Sequence, residues 1–348
     1  MVALKDREYQ RILLIKPSSL GDVIHALPTL SALRGRFPQA HIAWLVKRQW
    51  ADVLERAQGL DAVWPVEPGL RGWASLIPRL RAARFDLVID LQGLLRSAMI
   101  ALLSGCPCRI GFANTREGSP WFYSHRVAVP VLDIHAVDRY LLVAAALGTV
   151  PSGSPEFRLG IRSGDREAVE AVLRRHGLPG SGGWIAINAT ARWPTKRYPP
   201  ESFAAVADQV QEAGLGPIAF IGGPGDDTAV AAVIARMRTR AIDLTGATPV
   251  GLLPALLASA ALLVTNDSGP MHVAAAVGTP VVALFGPTSP VLTGPYGSGH
   301  RALTSGIACS PCLSRRCRNS VELECLRSLS PETVVEAATR QLAPHVAH

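Results

Sequence analysis

Two apolar runs that each stop abruptly at small and polar residues constrain this chain more than anything else in it. Ile12-Leu13-Leu14-Ile15 runs into Lys16-Pro17-Ser18-Ser19-Leu20-Gly21-Asp22, and Ala261-Leu262-Leu263-Val264-Thr265 runs into Asn266-Asp267-Ser268-Gly269-Pro270-Met271-His272. Each reads as a buried strand that breaks at a small-residue turn and opens a helix. Such a chain aims backbone N–H groups and one carboxylate from each segment at a common cleft. That layout suits a two-domain enzyme acting on an anionic ligand.

The same alternation recurs along the chain. Strand-like runs at 11–16, 41–46, 62–65, 87–90 and 109–112 are separated by helical stretches. A second series follows at 184–188, 216–222, 241–244, 261–265 and 279–285. The fold class is therefore α/β, with two successive doubly wound units of parallel strands covered by helices. At 348 residues, 48% hydrophobic and only 18% charged, the chain has ample apolar surface for two domains of about 150 residues each. The Gly-Thr-Val-Pro-Ser-Gly-Ser-Pro stretch at 148–155 marks the junction, followed by a strand-like segment and a helix at 165–176. The expected divisions are 1–165, 166–330 and a C-terminal segment 331–348 with a helix over 331–343. No internal repeat is visible, so the two halves are expected to be alike in architecture only.

No apolar run reaches the roughly 18 residues of a membrane span. The longest, 252–264, is interrupted by Pro254 and Ser259 and reads as a buried helix running into a strand. Residues 1–10 are charged and lack the apolar core of a signal peptide, so a cytoplasmic location is expected. The net charge of +8 is uneven: residues 1–160 hold 19 Lys/Arg against 13 Asp/Glu, and residues 161–348 hold 16 against 14. A basic first half suits nucleic acid, an anionic membrane surface or a phosphorylated substrate. Dispersed basic residues and an aromatic content of 6% argue against nucleic acid, because no stacking platform is visible.

Four strand-end loops carry candidate chemistry in the second half, and one in the first. Asp22 sits near a helix start, where the local positive potential keeps it ionised; it either caps that helix or acts in catalysis at the carboxyl end of the first strand. In the second motif the N–H groups of Ser268, Gly269 and Met271 can cradle a phosphate, or the turn is an ordinary capped one. His272 is either a core histidine or a ligand group. Arg192, Lys196 and Arg197 fall on a third strand-end loop that suits a pyrophosphate, or is simply solvated. Gly222-Gly223-Pro224-Gly225-Asp226 offers an acid to ribose hydroxyls, but its glycines do not fit G-x-G-x-x-G and give a nicotinamide dehydrogenase little support. Phe285-Gly286-Pro287-Thr288 completes the ring.

Six cysteines are present, four of them as Cys309-x2-Cys312-x4-Cys317-x7-Cys325. These four could bind zinc, yet the spacing lacks the paired C-x2-C knuckles of common zinc folds; free or redox-active thiols, and behind them native disulfides, are the competing readings. Cys106 and Cys108 read as packing or surface thiols.

Lys16-Pro17-Ser18-Ser19-Leu20-Gly21-Asp22-Val23-Ile24-His25, Asp90-Leu91-Gln92-Gly93-Leu94-Leu95-Arg96-Ser97, Thr115-Arg116-Glu117, Thr195-Lys196, Asn266-Asp267-Ser268-Gly269-Pro270-Met271-His272 and Phe285-Gly286-Pro287-Thr288 resemble in type and order the bacterial lipopolysaccharide heptosyltransferases of glycosyltransferase family 9. The resemblance covers about 11–335. It implies a GT-B fold: an acceptor domain, a donor domain, a cleft between them, and a C-terminal helix crossing back to the first. It further implies inverting transfer from a nucleotide sugar, commonly ADP-L-glycero-D-manno-heptose, without metal or cofactor. The acceptor would be a lipid-linked anionic saccharide, Kdo-lipid A or its heptosylated form, at the inner face of the cytoplasmic membrane. Carried over residue by residue, Asp22 matches the general base and Lys196 the diphosphate-binding lysine. Thr190, Lys196, Asp226, Asp267, Ser268, Gly269, Met271 and His272 match the donor site. Ser19, Gly21, Gln92, Arg96 and Arg116 match the acceptor side. The alternatives are another nucleotide sugar or acceptor on the same fold, and a nucleotide-binding module without transfer. Retention of Asp22, Lys196 and Asp267 argues against the last.

Overall fold

A computed structural model describes residues 3–131, 133–149 and 153–343. The chain divides into two compact units, 1–160 and 161–348. In the first, strands β1 (Arg11–Ile15), β2 (His41–Lys47), β3 (Ala62–Val66), β4 (Leu87–Asp90), β5 (Cys108–Phe112) and β6 (His125–Val127) form one parallel sheet in the order β3-β2-β1-β4-β5-β6. The second contains β7 (Ile185–Asn188), β8 (Ile218–Phe220), β9 (Ile242–Asp243), β10 (Leu262–Asn266), β11 (Val281–Phe285) and β12 (His300–Thr304). Its order, β12-β11-β10-β7-β8-β9, is the same arrangement counted from its own first strand.

Burial explains why these runs are strands. In β1 all but Arg11 is buried, and every residue of β4, β7, β10 and β11 is buried, as expected of parallel strands covered by helices on both faces. Leu13, Ile15, Leu45, Trp64, Leu80, Val88 and Ile100 share one core cluster of the first unit. Phe203, Phe220, Val264, Leu284, Leu326 and Val334 share one in the second. All ten expected strands are present, and the run 252–264 is indeed a helix (Leu253–Ala258) leading into β10. Two edge strands were not legible. His125–Val127 and His300–Thr304 are short and largely polar or exposed, so neither carries an apolar signal.

The boundary lies at 160/161, where 165/166 was expected, and local pairing explains the shift. After the junction, whose residues 150–152 lie outside the described residues, the strand-like segment folds back on the first unit. Leu159 bridges Ala57 in antiparallel fashion, and Gly160 N–H donates to Arg56 O at 2.8 Å. The next helix, Ser163–Arg175, packs against helix Leu253–Ala258 and so belongs wholly to the second unit. The expected C-terminal helix is Pro331–Leu342. It lies on helix Pro200–Glu212 and strands β10 to β12, and buries Val334, Ala337 and Ala338. That apolar face is spent on the second unit's own sheet; residues 344–348 lie outside the described residues. Among the described residues, no helix is long and apolar enough to cross a membrane.

Gly111 in β5 shows how tightly the first sheet is filled. A Cβ there would stand 2.3 Å from the Tyr123 ring, whose hydroxyl donates to the fully buried Asp90 at 2.8 Å. Gly111→Ala should therefore overpack this contact and lower stability by about 1–3 kcal/mol, read by urea denaturation.

Candidate active site

Strand order locates the candidate sites. In each sheet the connections leave in opposite directions from two adjacent central strands, β1 and β4 in the first unit and β7 and β10 in the second. Ligands of open α/β sheets bind outside the carboxyl ends of the strands at such a reversal. Asp22 follows β1 and Asp90 ends β4. Asn188 ends β7, and Asp267 follows β10.

In the first unit, helix Leu20–His25 begins at Ser19 and carries Gly21 and Asp22 in its first turn. Asp22 Oδ2 accepts the Ser19 N–H and the Ser19 hydroxyl, both at 2.8 Å. The acid therefore does cap its helix. Its second oxygen faces other partners: the Tyr140 hydroxyl donates to Oδ1 at 3.2 Å, and Lys16 Nζ stands 3.6 Å away. Lys16 also reaches Leu91 O at 3.4 Å and lies 5.0 Å from the centre of the Tyr140 ring. Helix Ala136–Ala146, capped by the His135 side chain on Val137 N–H, holds Tyr140 in place.

Burial alone would raise the Asp22 pKa, but the Lys16 charge and the two Ser19 hydrogen bonds outweigh it and hold the carboxyl well below its ordinary range. Burial would likewise discharge Lys16, yet the Asp22 charge more than compensates and keeps it protonated. Burial, only partly offset by Lys16, pushes the Tyr140 phenol up to about 12. At neutral pH the cluster is thus an ionised carboxylate, an ammonium and a neutral phenol.

In the second unit, Lys196 ends the short turn Pro194–Lys196 after β7, and its Nζ contacts Asp267 Oδ2 at 2.6 Å. Thr288, in the loop after β11, donates to the same oxygen at 2.6 Å. Asn188 Nδ2 donates to Ser268 Oγ at 2.7 Å and to Thr190 O at 3.2 Å, and Thr190 Oγ1 donates back to Asn188 Oδ1 at 3.2 Å. Ser268 precedes helix Gly269–Ala276, whose first N–H groups have no partner within the helix, so the start is suited to an anion. Lys196, Asp267 and Thr288 thus form one hydrogen-bonded group, and Asn188, Thr190 and Ser268 form another. Met271 and His272 are buried in the helix's first turns.

The remaining predicted residues lie elsewhere in their units. Asp226 turns back into its own loop, accepting Gly223 N–H at 2.8 Å. Gln92 N–H donates to Asp90 at 2.9 Å, while its buried Oε1 has no hydrogen-bond partner in the structure. Arg96 is exposed, its guanidinium 5.7 Å from the centre of the Trp73 ring. Arg116 is exposed in the 115–118 turn, and its carbonyl accepts from the Ser119 hydroxyl at 2.9 Å. Sequence reasoning missed Tyr140, which is 118 positions from Asp22, and did not single out Lys16, Asn188 or Thr288. Each of the latter three sits in a motif already visible, at or after the carboxyl end of a buried strand.

The four late cysteines share the walls of a cavity of about 460 Å³ with Thr195 and Gly286. Burial and the other three thiols raise the Cys325 pKa. All six cysteines are free, and among the described residues no three His, Cys, Asp or Glu side chains are grouped to hold a metal ion. The segment also supports the Lys196 loop: Thr195 Oγ1 donates to Ser314 O at 2.9 Å, and the Trp193 ring centre is 4.7 Å from Lys196 Nζ and 5.0 Å from the Arg315 guanidinium.

The sequence profile of glycosyltransferase family 9 (heptosyltransferase) matches residues 73–321. Lipopolysaccharide heptosyltransferase 1 of Pseudomonas aeruginosa is 32% identical over 88% of this chain and 87% of its own length. A family 9 glycosyltransferase of Veillonella parvula superposes with a TM-score of 0.84 at 30% identity, covering 96% of this chain and 97% of that one. The ADP-heptose lipopolysaccharide heptosyltransferase II of E. coli superposes with a TM-score of 0.79 at 25% identity, covering 97% and 100%.

Each charge pair has expected outcomes. Because its folded pKa is depressed, Asp22 stabilises the fold while ionised; this contribution should be full above about 4, the unfolded carboxyl range, decline progressively as pH falls below it, and be gone once the folded carboxyl is itself protonated. Lys16→Met should move the Asp22 titration upward, seen as a shifted midpoint in the carboxyl-carbon NMR signal. In the second unit, Lys196→Ala should destabilise by about 3–5 kcal/mol by stranding the buried Asp267, and Lys196→Met combined with Asp267→Leu should cost less than that single change; urea denaturation decides.

Proposed function

The chain belongs to glycosyltransferase family 9, and from that premise we propose that it moves a heptose from ADP-L-glycero-D-manno-heptose to Kdo-lipid A or its heptosylated form, with inversion at the anomeric carbon. Its two parallel six-stranded units are those of the GT-B fold. The first unit binds the acceptor and the second the donor. What supports the donor is likeness to the P. aeruginosa heptosyltransferase and to the E. coli enzyme described as an ADP-heptose transferase.

One observation carries the reading: the two lysine–carboxylate pairs have opposite exposure. In the first unit the lysine is hidden and the carboxylate open, with Lys16 4% and Asp22 38% exposed. In the second the carboxylate is hidden and the lysine more open, with Asp267 5% and Lys196 18% exposed. The first unit therefore exposes a proton acceptor, and the second exposes positive charge.

Asp22 takes the proton of the acceptor hydroxyl while that oxygen forms its bond to the anomeric carbon. The bond from that carbon to the diphosphate oxygen breaks, and the electron pair leaves with ADP. Since Asp22 is held strongly ionised, it is a ready but weak base. Proton transfer therefore follows rather than leads carbon–oxygen bond formation, which acidifies the attacking hydroxyl. Lys196 and the N–H groups at the start of helix Gly269–Ala276 stabilise the departing diphosphate. These groups supply the charge that the leaving group requires, so the proposed step draws on neither metal nor cofactor. Ser19 and Gly21 shape the base; Gln92, Arg96 and Arg116 serve the anionic acceptor; Asp226 serves the nucleoside. The enzyme works in the cytoplasm, peripherally at the inner membrane face, where its lipid-linked acceptor lies.

Asp22→Asn should lower turnover by about 10²–10⁴-fold while calorimetric affinity for ADP-heptose stays unchanged; near-wild-type turnover would remove Asp22 from this role. Calorimetry on the wild-type protein should favour ADP over UDP and GDP. Preference for UDP or GDP discards the heptose donor but keeps glycosyl transfer, and nucleotide binding without transfer or donor hydrolysis leaves only a binding module.

A further inference from the structure

The helix Leu95–Leu103 has an unusual outer face. Residues 95, 99 and 102 fall within one narrow arc of a helix, and here they are Leu95, Met99 and Leu102, exposed by 38%, 43% and 42%. Its opposite side, Ser97, Ala98, Ile100 and Ala101, is buried in the first unit. A helix with one side in the core ordinarily carries polar residues on the other, and this one carries none along that ridge. Against it packs the short turn Ser119–Phe122, whose Trp121 is 81% exposed. Arg126 lies 5.4 Å from the centre of the Trp121 ring.

The surrounding charge is of one sign. Residues 71–126 contain eight arginines, no lysine and three acids. Of those acids, Asp90 is fully buried and Asp86 accepts the backbone N–H groups of Gln10 and Arg11 at 2.8 and 3.0 Å. Glu117 alone is exposed, and it accepts Leu95 N–H at 3.1 Å. Arg81, Arg96, Arg116 and Arg126 are all exposed in this region.

We propose that the ridge Leu95, Met99 and Leu102, together with Trp121, docks this protein on the surface of an anionic lipid bilayer. Aliphatic side chains enter the headgroup–acyl boundary, the tryptophan takes its preferred interfacial position, and the arginines meet lipid phosphates. Charge complementarity favours this occupant over a second copy of the chain, since a symmetric dimer through this face would set arginines against arginines. The inference rests on the preceding section only in that the acceptor there is lipid-linked.

The test is co-sedimentation of the full chain with vesicles of phosphatidylcholine alone or mixed with phosphatidylglycerol. Wild-type protein should bind the anionic vesicles at least about tenfold better than the neutral ones, and added salt should weaken that binding. Met99→Glu combined with Leu102→Glu should reduce it about tenfold or more, while Val291→Glu, at an exposed apolar site in the second unit, should not. Both changes fall on exposed side chains, and unchanged melting by circular dichroism confirms an intact fold. The proposal is overturned if wild-type protein ignores vesicles, if the double variant binds as wild type does, or if Val291→Glu is equally impaired. It is also overturned if sedimentation velocity shows a wild-type dimer that the double variant splits, which would make the face a homodimer contact. Transfer to a deacylated, water-soluble acceptor separates the two readings. The double variant should keep that activity, and absence of transfer in the wild type would end the transferase reading while leaving vesicle binding intact.

Discussion

The reversal of strand order between two adjacent buried strands is the constraint on which the remaining features depend. Parallel strands buried on both faces leave their N–H and C=O groups paired within the sheet and their side chains in apolar cores. Polar chemistry is therefore forced to the strand ends. At β1/β4 and β7/β10 the loops part in opposite directions, and each gap is filled by a lysine–carboxylate pair. The two units share this solution without a visible repeat in sequence, because the architecture requires the position and leaves the residues free.

Within that common plan, each pair is set by its neighbours. Asp22 is turned by Ser19 on one oxygen and by Tyr140 and Lys16 on the other, so its orientation is determined from the protein side while its remaining lone pairs stay accessible. Asp267 instead gives its accepting oxygen to Lys196 and Thr288 and is closed off, leaving the ammonium as the reachable partner. Neither charge is buried without compensation, which would be far more costly than pairing it. The Cys-rich segment joins this support through Thr195 and Trp193, so a region with no grouped metal ligands among the described residues still bears on the position of Lys196.

The first unit also carries most of the excess basic charge, 19 Lys/Arg against 13 Asp/Glu over residues 1–160. Composition left an anionic membrane surface and a phosphorylated substrate as the favoured partners for that charge. Its placement next to an apolar helical ridge narrows the physics, because arginine and exposed aliphatic side chains together suit a headgroup boundary better than a solvated polyanion.

By itself the sequence determined the α/β class, the central strands, and the motifs in which Asp22, Lys196 and Asp267 lie, because apolar runs ending at small residues are local signals that burial of parallel strands enforces. It also showed both readings of Asp22, and the cap proved real, its second oxygen remaining for other partners. Edge strands β6 and β12 escaped it, since strands covered on fewer sides need fewer apolar residues. So did the return of the segment before Gly160 onto the first unit, which is a backbone pairing and has no side-chain signature. Only the tertiary structure could decide that Tyr140 touches Asp22 across 118 positions, or which partner of each ion pair is exposed. Those are properties of distance and dielectric between segments, and no spacing along the chain encodes them.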